Sequence, residues 1–127
     1  MKITEYAIHW NGAKAVFAVD REIYTDKACV KQIKLSSRYS EEELKTALAL
    51  DEPVVAMLKV LAKTCFGLQM VDHWARDGLL MQFEKMPDHG WPELDGSEGI
   101  SIESVIPPSI PLTSFDVQVW ESYEFVL

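Results

Sequence analysis

The chain has only two cysteines among its 127 residues, Cys29 and Cys65. They lie 36 residues apart in segments with helical spacing. Two cysteines cannot build a dense disulfide framework, and this separation does not match the spacing of a zinc knuckle. We therefore expect two free, buried thiols in a protein of a reducing compartment, and we assign it to the cytoplasm.

Long uninterrupted apolar runs are also missing. The most apolar region, residues 53 to 74, carries Lys59 and Lys63 in its middle, which argues against a membrane span. The N-terminus has no basic start followed by a long apolar stretch, so we predict no signal peptide. Because 48% of the residues are hydrophobic, the chain can build a real core, and we expect a single domain over residues 1–127.

The sequence lacks the common catalytic motifs. It has no phosphate-binding GxxxxGK[ST] loop, no GxGxxG after a strand and no GxSxG elbow. None of the three histidines, His9, His73 and His89, has a close sequence partner at i+3 or i+4 that would build a metal-binding face. We expect no catalytic residues, no cofactor and no metal, and thus a protein that is not an enzyme.

Positive charge is scarce in the second half of the chain. Residues 1 to 63 hold ten Lys or Arg against nine Asp or Glu, whereas residues 64 to 127 hold two against eleven. This half would repel nucleic-acid phosphates and attract basic surfaces or cations. An acidic surface kept for solubility alone has the same composition.

The first twenty residues predict a β-hairpin. Tyr6, Ile8 and Trp10 alternate on one strand, and residues 14 to 20 alternate on the next. Between the strands stands Asn11-Gly12, the pair that best accepts the positive φ angles of a type I′ turn.

Three helices should follow. Thr25 is placed to cap a short helix that fades near Ser36, and Ser40 with Glu43 forms a capping box for the next. Pro53 opens a third helix of about 20 residues that is apolar around most of its circumference, so it must be covered on several sides. We predict that Gly78 interrupts this helix, and the short run Leu79–Phe83 fits helix or strand equally.

The C-terminal third predicts strands. Residues 99 to 105 alternate, with Ile100, Ile102 and Ser104 on one face, and the proline-rich residues 107 to 111 should form an extended connector. Apolar residues at odd-numbered positions, as on one face of a strand, indicate a long or broken terminal strand: Phe115, Val117, Val119, Tyr123, Phe125 and Leu127. We therefore predict an α+β fold, in which an antiparallel sheet of the hairpin and the C-terminal strands is packed on one face by two short helices and the long apolar helix.

Residues 86 to 100, MPDHGWPELDGSEGI, allow two interpretations. In the first, Asp88, His89, Asp95 and Glu98 form a cation-binding or hydrolytic site, although their spacing fails the EF-hand pattern. In the second, which we favour, the two prolines stiffen a connector, Asp95-Gly96 makes a turn and Trp91 packs down as an anchor. The acidic side chains would then stay solvated, and we expect any function of the loop to be contact with a partner rather than catalysis.

Two segments carry a resemblance: LAKTCFGLQ at residues 61 to 69, and GWPELDGSEGI at residues 90 to 100. In this order behind an N-terminal hairpin, they resemble a domain-of-unknown-function family of small proteins of bacteria, phages and mobile elements. No activity or residue role is implied by this resemblance. It implies a context in which small acidic proteins bind a host protein or complex, including as anti-defence inhibitors.

We therefore expect a non-enzymatic binding protein whose acidic C-terminal half engages the basic surface of a host protein or nucleic-acid-binding complex. Where that surface normally holds nucleic acid, the acidic half would act as a nucleic-acid mimic. It should contact neither nucleic acid nor membrane directly. The candidate partner-binding residues are Asp88, Trp91, Glu93, Asp95, Glu98 and Glu103. The alternative is the metal-binding or hydrolytic domain centred on residues 88 to 98. A homo-oligomer that uses exposed Trp or Tyr residues is compatible with either.

Overall fold

The fold was analysed in a computed structural model, which describes residues 2–10, 12–72, 75–85, 90–107 and 121–126. For residues 71, 72 and 121–126 it describes the backbone alone. Within these residues the elements follow in the order β1 (Ile3–Trp10), β2 (Ala13–Asp20), α1 (Asp26–Ser36), α2 (Glu41–Leu50), α3 (Pro53–Asp72), α4 (Arg76–Glu84), β3 (Ile100–Ile106) and β4 (Glu121–Val126). The predicted α+β class is confirmed.

The described strands form one antiparallel sheet in the order β3-β2-β1-β4, so the C-terminal strands flank the N-terminal hairpin. The hairpin closes at the pair Trp10 and Ala13. Gly12 has a φ of 80°, as the predicted turn requires, whereas Asn11 lies outside the described residues. In the backbone register of β4, Phe125 pairs with Glu5.

Strand β3 contains a bulge that the sequence pattern did not predict. Phe17 of β2 pairs with Ile102, but the preceding Val16 pairs with Ser104, so Glu103 is the extra residue. The bulge reverses the alternation after Ile102. Ser104, which the alternation predicts on the inner face, is therefore exposed, and Val105 packs against the core instead.

Helix α3 is the centre of the core. Met57, Leu58, Leu61 and Phe66 are fully buried on it, and the ring of Phe66 stacks on Trp10 of β1 with centroids 6.1 Å apart. By length and composition, residues Pro53–Met70 could cross a membrane. In the fold, however, 61% of this stretch is buried inside the protein, as in the core helix of a soluble protein.

The helix starts follow the predicted capping chemistry. The Thr25 hydroxyl accepts a hydrogen bond from the Ala28 N–H, and the capping box of Ser40 and Glu43 is complete. The two capped helices differ in packing. Cys29 and Ile33 of α1 are buried, whereas α2 buries no residue fully.

The prediction that Gly78 interrupts the long helix is wrong. α3 ends at Asp72, α4 begins at Arg76, and Gly78 lies inside α4. A glycine costs a helix only about 1 kcal/mol, and the complete burial of the adjacent Leu79 offsets that cost. The ambiguous run Leu79–Phe83 is therefore helical. Of the predicted connector only Pro107 is described, and Phe115, Val117, Val119 and Leu127 of the terminal pattern lie outside the described residues.

Candidate functional site: an acidic cleft beside β3

Helix α4 supplies one wall of the candidate site. Leu80, Phe83 and Glu84 follow one another at i, i+3 and i+4, which places them on one face of the helix. At its other end the Nε of Arg76 donates a hydrogen bond to the carbonyl oxygen of Ile102 in β3. This bond and the burial of Leu79 fix the helix to the edge of the sheet.

Residues 91 to 95 supply the opposite wall. The carbonyl of Leu94 accepts a hydrogen bond of 3.0 Å from the Ile102 N–H, and the Gly96 N–H donates one of 3.0 Å to the Ile100 carbonyl. Asp95 forms an isolated bridge with Ser101. The segment therefore covers the outer edge of β3, so that both walls are attached to the same strand.

Helix α1 holds the start of this segment. The Gln32 side chain donates a 2.8 Å hydrogen bond to the Gly90 carbonyl. Gly90 has a φ of 72°, and a Cβ atom there would lie 3.2 Å from the carbonyl oxygen of Leu35. A glycine is therefore required where the chain passes α1.

Between the two walls lies a cleft of about 630 Å³, which we call the acidic cleft. Its lining is apolar and polar in nearly equal parts, with carboxylates at exposed positions: Leu80, Phe83, Glu84, Trp91, Pro92, Glu93, Leu94 and Asp95. Phe83 and Leu94 are buried, and Trp91 and Pro92 are half-buried. Glu84, Glu93 and Asp95 are exposed. The cleft thus combines an apolar floor with an acidic rim.

Two acidic residues of this region organise the loop. The carboxylate of Glu98 accepts a 2.6 Å hydrogen bond from the Glu93 N–H. Asp95 Oδ1 accepts hydrogen bonds from the hydroxyl and the N–H of Ser97, at 2.6 and 2.9 Å. These two bonds, led by the hydroxyl, lower the pKa of Asp95, so its carboxylate stays ionised at neutral pH.

The carboxylates of Glu84 and Glu93 make no hydrogen bond or ion pair with any residue that the structure describes. Both side chains are exposed at the cleft. They are therefore the acids that can engage a partner without breaking an internal contact.

Trp91 anchors its wall, as predicted, by packing against the core. Its indole Nε1 is buried without a hydrogen-bond acceptor among the described residues. A buried donor with no partner costs free energy, so the ring is held there by apolar packing.

The structure brings together three of the six predicted partner-binding residues, Trp91, Glu93 and Asp95. Glu98 does not line the cleft, and its carboxylate accepts the hydrogen bond from the Glu93 N–H that organises the loop. Glu103, the bulge residue, faces a separate depression of about 270 Å³ that also contains Asp20 and one side of Asp95. Asp88 lies outside the described residues.

Sequence reasoning missed the helix wall, Leu80, Phe83 and Glu84. Their i, i+3, i+4 spacing was visible, but it becomes informative only if Leu79–Phe83 is read as a helix.

The described residues offer no group of three His, Cys, Asp or Glu side chains that could hold a metal ion. Of the alternative cation site, Asp95 and Glu98 make the hydrogen bonds described above, and Asp88 and His89 lie outside the described residues. Both cysteines are free and buried. Burial raises the pKa of Cys29 to about 11 and that of Cys65 to about 12, which makes both poor nucleophiles.

No protein-family model, curated protein or solved structure matches the chain.

Proposed function

We propose that this is a non-enzymatic protein that binds a basic protein surface through its acidic C-terminal half. The observation that supports the proposal is the acidic cleft, where exposed carboxylates surround an apolar floor. The partner would be a host protein or a nucleic-acid-binding complex in the cytoplasm. The resemblance to phage and mobile-element proteins favours an anti-defence inhibitor, with the acidic surface standing in for nucleic acid.

Negative charge would act at two steps of binding, first over a distance and then in direct contact. The excess of negative charge over residues 64 to 127 attracts a basic surface over a distance and raises the association rate. Glu84 and Glu93 then pair with the partner's cations at short range. Asp95 and Glu98 shape the loop and add to the field.

The test uses two double variants of equal charge. E84Q/E93Q removes the two unengaged carboxylates of the cleft, and E41Q/E52Q removes two exposed carboxylates at the starts of α2 and α3. Poly-L-lysine is the defined probe, and proteins retained from an extract of the source organism are compared between the variants.

We expect E84Q/E93Q to weaken poly-L-lysine binding about tenfold, and E41Q/E52Q to leave it within about twofold of the unmodified protein. Raising NaCl from 50 to 300 mM should weaken binding by about tenfold or more, because exposed ion pairs are screened. Equal behaviour of the two variants, or binding that salt does not affect, would contradict the proposal.

A further inference from the structure

We propose that the acidic cleft recognises a short peptide segment in which an apolar side chain is flanked by lysine or arginine. This inference rests on the proposed function and specifies the chemistry of the partner. It follows from the composition, attachment and size of the cleft.

The floor of the cleft is the first reason. Leu80, Phe83, Trp91, Pro92 and Leu94 line it, and none of their side chains is charged. Phe83 and Leu94 are buried in the core, so the half-buried Leu80, Trp91 and Pro92 supply most of the apolar surface that a ligand can reach. Burial of one leucine-sized side chain strengthens binding roughly tenfold to a hundredfold, whereas an exposed ion pair contributes about fivefold or less. An apolar side chain of the partner should therefore supply most of the affinity.

The arrangement of charge is the second reason. Glu84 stands on the helix wall, and Glu93 and Asp95 stand on the loop wall, so the apolar floor has acids on both sides. A ligand that fills the floor thus places its neighbouring side chains near carboxylates. Lysine and arginine suit these positions because their aliphatic stems pack on apolar surface while their charged ends stay in water. The same acids disfavour an acidic peptide and a nucleic-acid strand.

The attachment of the walls is the third reason. Hydrogen bonds fix both walls to Ile102 of β3, through Arg76 on one side and Leu94 on the other. Because the cleft is formed before binding, little conformational entropy of the protein is lost when a ligand binds. A short ligand that makes few contacts can therefore bind there. Its volume of about 630 Å³ lies within the range of roughly 300 to 1,000 Å³ that is typical of sites for drug-sized ligands, and a peptide of a few residues is of that size.

The probes are three fluorescein-labelled peptides of the same length, with the central sequences Lys-Leu-Lys, Lys-Ser-Lys and Glu-Leu-Glu. Anisotropy titrations measure their dissociation constants on the full chain. Lys-Leu-Lys should bind about tenfold or more tightly than Lys-Ser-Lys, and Glu-Leu-Glu should bind most weakly. E84Q/E93Q should weaken both lysine peptides by similar factors.

Variants of the helix wall test the floor. L80A shortens a half-buried side chain inside the cleft, and M81A shortens the neighbouring side chain, which is 55% exposed and does not line the cleft. L80A should weaken Lys-Leu-Lys about fivefold with little change for Lys-Ser-Lys, and M81A should change neither. Circular dichroism confirms that both variants are folded.

The outcomes separate this inference from the proposed function. If the two lysine peptides bind equally and E84Q/E93Q weakens both, the preference for an apolar side chain is refuted and the proposed function stands. If neither peptide nor poly-L-lysine binds, both are refuted. Sedimentation that shows a dimer of the unmodified chain, lost in L80A, would assign the cleft to a second copy and overturn the peptide proposal.

Discussion

The indole nitrogen of Trp91 is buried without an acceptor among the described residues, although its ring packs against the core. We expect W91F to keep the packing and remove the unpaired donor, so that the free energy of unfolding in urea stays unchanged or rises by up to about 1 kcal/mol. W91A is the comparison and should lower it by about 2 kcal/mol, since the packing is lost. A loss of more than about 1 kcal/mol in W91F would mean that the indole has an acceptor in solution.

Two glycines offer a second matched test. Gly99, just before β3, has a φ of 105°, and a Cβ atom there would lie 3.2 Å from Ile23 and from the ring of Tyr24. G99A should destabilise the protein by about 2 kcal/mol through backbone strain and crowding. Gly67 lies inside α3, where an added Cβ atom would meet nothing within 4 Å, so G67A should stabilise the protein by about 0.5 to 1 kcal/mol. Thermal melts should show a lower melting temperature for G99A and a higher one for G67A.

At the scale of elements, α1 and α2 each begin with a hydroxyl cap but differ in packing, and α2 alone of the two has a complete capping box. S40A removes one bond of the α2 capping box, which costs a helix about 1 kcal/mol. Because α2 buries no residue fully, we expect this loss to appear as local opening, with amide exchange in α2 about fivefold faster and an unchanged urea midpoint.

T25A removes the corresponding cap of α1, whose Cys29 and Ile33 are buried in the core. The same chemical change should therefore lower the global free energy of unfolding by about 1 kcal/mol. Hydrogen exchange followed by mass spectrometry resolves the two helices. Equal shifts of the urea midpoint in S40A and T25A would contradict the difference in packing.

The elements also show what the sequence could predict. Capping residues, the apolar circumference of α3 and the hairpin alternation are local signals, and each of these elements formed as expected. The bulge at Glu103 was missed because it depends on pairing with β2, even though the order Ile100, Ile102, Val105 already departs from strict alternation. The helix after Asp72 was ambiguous because the burial of Leu79 against the rest of the fold, rather than its own propensity, decided it.

The candidate site was only half predictable for a related reason. Trp91, Glu93 and Asp95 lie in one conspicuous loop, whereas Leu80, Phe83 and Glu84 reach the same cleft from another element. Their meeting depends on hydrogen bonds of Arg76 and Leu94 to Ile102, which no sequence spacing reveals. The hydrogen bonds also show that Asp95 and Glu98 are structural acids, a distinction that composition cannot make.

At the scale of the whole molecule, the sheet order has a consequence for the hairpin. β3 covers β2 on one side, and β4 covers β1 on the other, so the C-terminal strands protect both edges of the N-terminal hairpin. The edges are not equivalent. The outer edge of β3 is hydrogen-bonded at Ile100 and Ile102 to the loop residues Gly96 and Leu94. The edge of β1 that faces away from β2 is paired with β4. The edge of β1 is therefore the one that truncation would expose.

A chain that ends at residue 120 tests this dependence. It loses the pairing of Thr4–His9 with Glu121–Val126 and leaves a row of main-chain donors and acceptors on β1 without partners. Such an edge binds other strands, so we expect a lower urea midpoint and concentration-dependent oligomers in size-exclusion chromatography. Low salt should weaken the oligomers, because truncation removes only two of the twenty acidic residues, Glu121 and Glu124, and the remaining negative charges repel more strongly when they are less screened. The control lacks Leu127 alone and should elute like the unmodified chain, with an unchanged midpoint. A monomeric, equally stable truncated chain would show that β1 does not need β4.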